Sequence, residues 1–185
     1  MELIDAHIDK VGPKNGQRRI IISVDGTKFG VFDGYKQSKS GSLRVATADW
    51  LEKRDVEVLL IATMTTDLMP VESENRSIVP STDDPTGWQD HVFQGTVKAV
   101  VDDTATLLEN IQLVDGFEQG DRGQEIDPAS LKDLSSAVIS LGCGTMLLDL
   151  SDVDQEVTTG EQLRFVSSRT DVLGYRLPHS RQQRS

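Results

Sequence analysis

The chain has 185 residues, 37% of them hydrophobic, with thirty acids against nineteen Lys and Arg and a formal net charge of −11. That length suits one domain or two small ones and is enough to bury a core. So acidic a balance argues against a globally basic nucleic-acid module, and the longest apolar run, Val58-Leu59-Leu60-Ile61-Ala62, is far short of the ~20 residues of a membrane-spanning helix.

Short alternating apolar runs separated by turn residues dominate the chain and predict strands. Leu3 to Val11 places Ile4, Ala6 and Ile8 on one side and predicts an edge strand. Arg19 to Val24 and Lys28 to Phe32 flank Asp25-Gly26, a hairpin turn whose two positions both tolerate positive φ. Asp49 with Glu52 three residues on reads as a capping box for a short helix over 49–54. Val56 to Met64 is a buried strand. Residues 65–90 carry Pro70, Pro80 and Pro85 without apolar periodicity and read as a linker or protruding arm.

Strands resume at His91 to Val101 and Thr106 to Val114, with Asp102-Asp103-Thr104 as the expected hairpin turn between them. Asp127-Pro128 opens a second short helix, Asp at the cap and Pro at the first helical position. Val138 to Leu141 and Met146 to Leu150 are strands around Gly142-Cys143-Gly144, read as a strand bend or bulge. Gln162 to Ser167 and Val172 to Leu177 complete the sheet, and Pro178 ends it. The fold class is mainly β, a β-barrel or β-sandwich with one or two short helices. The organisation is 1–66 as an N-terminal β-rich unit, 67–90 as the arm, 91–178 as a second β-rich unit and 179–185 as a basic tail.

Chemistry is sparse. The phosphate-binding loop and the dinucleotide fingerprint are absent. His7, His91 and His179 are too scattered to share a metal, and Cys143, alone between glycines, excludes an internal disulfide and a multi-cysteine zinc site. Asp152, Asp154 and Glu156 mimic the start of a calcium loop but lack its central Gly and its Glu at the twelfth position. No cofactor is expected.

Phe93-x-Gly95-x-Val97 with Leu107-Leu108-Glu109-Asn110 resembles the first signature of the Sm-like RNA-binding fold, with Thr106 where that family places an RNA-contacting Asn and Leu141-Gly142 in place of its Arg-Gly pair. Asp149 to Glu161 is similar to a hairpin in the C-terminal β-domain of pyridoxal-phosphate racemases, whose lysine-bearing barrel has no room in this chain. Both patterns are generic for small β-barrels, and neither family is assigned.

Charge is sorted along the chain. Residues 1–56 have ten bases against eight acids (+2), and residues 164–185 have five Arg against Asp171 (+4). Between them, 57–163 carry only Arg76, Lys98, Arg122 and Lys132 against twenty-one acids (−17), and the three values sum to −11. Like charges this dense repel unless salt screens them or an opposite surface meets them. Twenty Asp against eight Lys also matches the surfaces of proteins from salt-adapted archaea.

An acidic belt between basic ends is complementary to a copy of itself, which makes Arg164, Arg169, Arg176, Arg181 and Arg184 interface candidates. The expected function is non-enzymatic: a structural or assembly protein forming a ring or stacked homo-oligomer with other assembly proteins, in its most concrete form a neck or tail component of a halophilic archaeal virus, with transient passage of DNA. A barrel-type nucleic-acid module using the basic N-terminal unit is the alternative, and a hydrolase built on Asp102 or Asp149 the third. With no membrane span and no basic-then-apolar leader at Met1 to Asp5, the expected location is the cytoplasm or a virion assembled there.

Overall fold

The structure, a computed structural model, describes residues 2–12, 18–33, 35–37, 41–43, 51–63, 68–69, 77–80, 91–109, 134–167 and 169–176. The fold is mainly β, as the alternation requires. The first three strands are β1 (Ile4–Val11), β2 (Arg18–Val24) and β3 (Thr27–Asp33). A separate two-stranded ribbon follows, β4 (Tyr35–Gln37) with β5 (Gly41–Leu43), and then β6 (Asp55–Thr63). Two short strands, β7 (Leu68–Met69) and β8 (Ile78–Pro80), precede the long β9 (His91–Val101). After helix α1 (Thr104–Glu109) come β10 (Ser136–Ser140), β11 (Thr145–Asp149), β12 (Gln162–Ser167) and β13 (Arg169–Arg176).

Eleven strands form one sheet in the order β1-β2-β3-β13-β6-β11-β10-β9-β12-β7, with β8 beside β9. Its first five strands close on themselves because β1 also pairs with β6, Ile4 opposite Val58 through His7 opposite Asp55. The result is a five-stranded barrel whose interior takes every second residue. Strand β1 is therefore not the edge strand its pattern suggested: closure gives it partners on both sides, β2 and β6. Four barrel strands come from residues 1–66 and the fifth, β13, from the last part of the chain, held antiparallel to β6 and parallel to β3.

Inside, Ile4, Ile8, Ile20, Ile22, Phe29, Val31 and Leu60 are all fully buried. The same core continues outward through Phe93, Ile139, Met146, Leu148 and Phe165, so the barrel and the sheet beside it share one apolar mass. A smaller cluster of Leu59, Ile61, Leu147, Leu173, Val138 and Leu134 lies on the other face of β6 and β11. That explains why β6 is apolar at consecutive positions: it is a central strand covered on both faces.

Local chemistry sets the connections. Asp25 (φ 50°) and Gly26 (φ 80°) form the two-residue turn of the β2–β3 hairpin, joining Val24 to Thr27 as expected. Gly142-Cys143-Gly144 turns β10 into β11, and Gly144, at φ 147°, lies where a Cβ would meet the backbone of Leu3 and Ile4 at 2.8 Å. Leu68–Met69 and Ile78–Pro80 pair with β12 and β9, and Ile78 is buried; apart from these and Ser77, 67–90 lies outside the described residues.

One local expectation needs correction. Residues 104–109 are helix, not the second strand of a hairpin, and 110–114 lie outside the described residues. The buried Thr104 hydroxyl donates to Leu134 O at 2.6 Å, while Asp103 accepts from the Thr106 hydroxyl at 3.1 Å, a pair three residues apart that one helical turn brings together. The Sm-like pattern thus lacks its second strand here. The carboxylate of Glu52, read as the far member of a capping box, accepts from the Val11 backbone N–H at 2.9 Å; 49–50 lie outside the described residues. The 127–131 helix start also lies outside them, and 150–161 is a turn-bearing loop without strands.

Candidate functional site

Alternation on β2 turns Ile20, Ile22 and Val24 inward, so Arg19, Ile21 and Ser23 face out; on β3 the outward residues are Lys28, Gly30 and Phe32. The hairpin register places Arg19 directly opposite Phe32, and the parallel pairing of β13 brings Asp171 to the other side of the same ring. Two guanidinium groups consequently lie over Phe32, Arg19 at 5.5 Å from the ring centroid and Arg169 at 4.7 Å. Arg169 is oriented by its own strand. Two residues apart on one face, it forks onto Asp171, Nε donating to Oδ2 at 2.9 Å and Nη2 to Oδ1 at 2.8 Å. One row along, Lys10 of β1 lies opposite Ile21, and Lys28 lies opposite Ser23. The barrel wall therefore presents Lys10, Arg19, Lys28 and Arg169 around Ile21 and Phe32, the first three cations exposed.

Asp171 is 0% exposed and Arg169 17%. Burial raises the Asp171 pKa to about 6, against the hydrogen bonds and charge of Arg169, which pull it down. Beneath the pair, the Thr63 hydroxyl donates to the Arg169 carbonyl at 3.3 Å, and the Thr170 hydroxyl to Ser167 Oγ at the same distance.

Of the five arginines singled out from sequence, Arg169 alone is brought into this cluster among the described residues. Arg176 is at the far end of β13, roughly 23 Å away by strand rise, with its fork on Glu57 of β6 at 3.1 and 3.2 Å. Arg164 sits on β12 opposite Gln94 and Met69. Arg181 and Arg184 lie outside the described residues.

Among the described residues, the other polar clusters do not assemble into the catalytic sets considered from sequence. His7 Nδ1 is 3.0 Å from Asp55 and its Nε2 3.8 Å from Asp9, but the Ser23 hydroxyl donates to Asp9 rather than to the imidazole, which is not the wiring of a nucleophilic triad. Asp149 is held by the Ser151 N–H and hydroxyl. Asp102, exposed just past β9, is separated from it by β10, about 10 Å across two strand spacings. Among the described residues no group of three His, Cys, Asp or Glu is placed to hold a metal ion. His91 is buried, its Nε2 2.9 Å from Gly30 O, and packs edge-on to Phe29.

A cleft of about 640 Å³ lies between the Asp25-Gly26 turn and the 141–144 turn, lined among others by Asp5, Thr27, Ser77 and Cys143. Burial pushes the Cys143 thiol above its ordinary pKa, its backbone hydrogen bond opposes this, and the Asp25 and Asp5 carboxylates push it further up. The thiolate is the reactive form. Cys143 in the folded protein is therefore expected to alkylate with iodoacetamide at pH 7.5 several-fold more slowly than after unfolding in urea; equal rates would show an open, unperturbed thiol.

Comparison of the chain with protein-family models, with curated proteins and with solved structures gave no match.

Proposed function

We propose that the protein is a non-enzymatic assembly component that associates with copies of itself into a ring or stack. The observation that carries this reading is the separation of charge, which the fold converts from a sequence pattern into geometry. Basic residues from both ends of the chain meet on one barrel wall, Lys10, Arg19 and Lys28 from the first strands and Arg169 from the last. Of the −17 stretch, Asp102, Asp103, Asp149, Asp152, Asp154, Glu156 and Glu161 lie at or beyond the ends of β9, β11 and β12, outside the five barrel strands, while Glu57 is on β6 of the barrel itself. Opposite potentials on different parts of one molecule favour head-to-tail contact, and such a contact closes into a ring or runs on as a stack. The most concrete setting is a neck or tail ring of a virus of a salt-adapted archaeon, where an acidic channel wall would let DNA slide past without tight phosphate contacts.

Light scattering at equal protein concentration tests the reading. A multiple of the 20.3 kDa chain mass is expected at 0.1 M KCl, shifting toward monomer at 1 M as the Debye length falls from ~10 to ~3 Å. A mass of one chain at every salt concentration overturns it. The guanidinium-flanked Phe32 favours a second reading, a barrel that stacks single-stranded nucleic acid. Oligonucleotide binding that falls steeply with salt, without a change in protein mass, would select it.

A further inference from the structure

Resting on that assembly reading, we infer that the Arg19–Phe32–Arg169 platform on the barrel wall receives the acidic 150–161 loop of a second copy of this chain. The loop exposes Asp152, Asp154 and Glu156, and no Lys or Arg occurs between Lys132 and Arg164. It is also held in shape. Val153 N bonds Leu150 O at 3.2 Å, Gly160 N bonds Val97 O at 2.8 Å, and Gln155 Oε1 accepts from Leu68 N at 3.1 Å. Val157 and Leu150 pack against the main core. A loop already fixed in shape loses little conformational entropy on docking, so its carboxylates keep most of their attraction for guanidinium groups.

Within one chain Asp152, Asp154 and Glu156 form no ion pair with Arg19 or Arg169. The far end of the loop is separated from Arg169 by the length of β12, roughly 16 Å, and its near end, past Asp149, by the width of β6, about 10 Å across two strand spacings. A loop from one copy and a platform from the next make a heterologous contact, the kind that builds rings and stacks. Phe32 adds a half-buried ring beneath the two guanidinium groups, an apolar surface for the aliphatic stem of an incoming acidic side chain while the guanidinium groups meet its carboxylate.

The test mixes two variants. Arg19→Glu spoils the platform and leaves the loop intact; Asp152→Lys with Asp154→Lys and Glu156→Lys does the reverse. All four positions are exposed, so circular dichroism should match wild type. Each variant alone is expected to associate about tenfold or more weakly than wild type. An equimolar mixture should form a two-chain species, because one good loop can still meet one good platform. Arg19→Gln, which keeps part of the stem over Phe32 without the charge, should fall between. If Arg19→Glu assembles as wild type does, or the mixture stays monomeric, the loop–platform contact is wrong while the assembly reading stands. If wild type is itself monomeric under all conditions, the assembly reading fails first.

Discussion

Phe93→Ala is expected to lower the free energy of unfolding by about 3–5 kcal/mol and to leave one cooperative transition. Phe93 is fully buried on β9, the strand that pairs with β10, β12 and β8. Its ring lies 6.4 Å from Phe29 of the barrel, 6.3 Å from His91 and 5.7 Å from Phe165. Truncation therefore removes transfer free energy, three ring contacts and the filler between the barrel and the sheet beside it. Val100→Ala, at the most exposed large apolar side chain of the described residues, should cost less than about 0.5 kcal/mol. Urea unfolding followed by circular dichroism measures both. Two separated transitions in Phe93→Ala would mean that the barrel stands without the outer sheet and that the shared core couples them weakly.

How far the structure is legible in the sequence depends on what fixes each pairing. In the β2–β3 hairpin the two-residue Asp25-Gly26 turn sets partners whose numbers sum to 51, so Arg19 opposite Phe32 follows from sequence alone, and the structure has that pair. Alternation also puts Arg169 and Asp171 on one face of β13, but the strand expected from sequence begins only at Val172, so their ion pair is not legible there. The parallel pairings β3–β13 and β6–β11 are different. No turn joins those strands, so nothing local sets their register, and the closure of β1 onto β6 spans about fifty residues for the same reason. The helical state of Thr104 to Glu109 was missed because Leu107-Leu108 fits a strand as well as a helix, and the deciding bond comes from Leu134, thirty residues away. The basic wall was legible as charge but not as a place: its fourth cation arrives only when the last strand enters the barrel.

That last strand also carries the second large effect. Arg169→Met is expected to destabilise the protein at pH 7.5 by about 3–5 kcal/mol, because it strips the partner from a carboxylate with no exposed surface. Adding Asp171→Asn to it should restore much of the loss by removing the stranded charge. Stability against pH separates this from simple loss of packing over Phe32. Burial raises the folded-state pKa of Asp171 from 3.8 to about 6. The folded state therefore binds a proton more tightly than the unfolded chain does. Between those two values the unfolded state holds fewer protons, so this group's contribution is present at low pH and is lost as pH rises through about 6. Wild type should accordingly gain on the order of 1–2 kcal/mol from Asp171 between pH 7.5 and pH 5. The acidic belt, losing repulsion over the same range, adds to the gain, and Asp171→Asn subtracts only the first part. In Arg169→Met the opposing guanidinium is gone, so the carboxyl titrates higher, and the loss on raising pH, which begins at the unfolded value, continues to higher pH and runs deeper. Denaturant midpoints at pH 5, 6, 7 and 8 for the four proteins measure this. If Asp171→Asn follows the wild-type slope throughout, Asp171 is ionised across the whole range, and the Arg169 fork rather than burial sets its state.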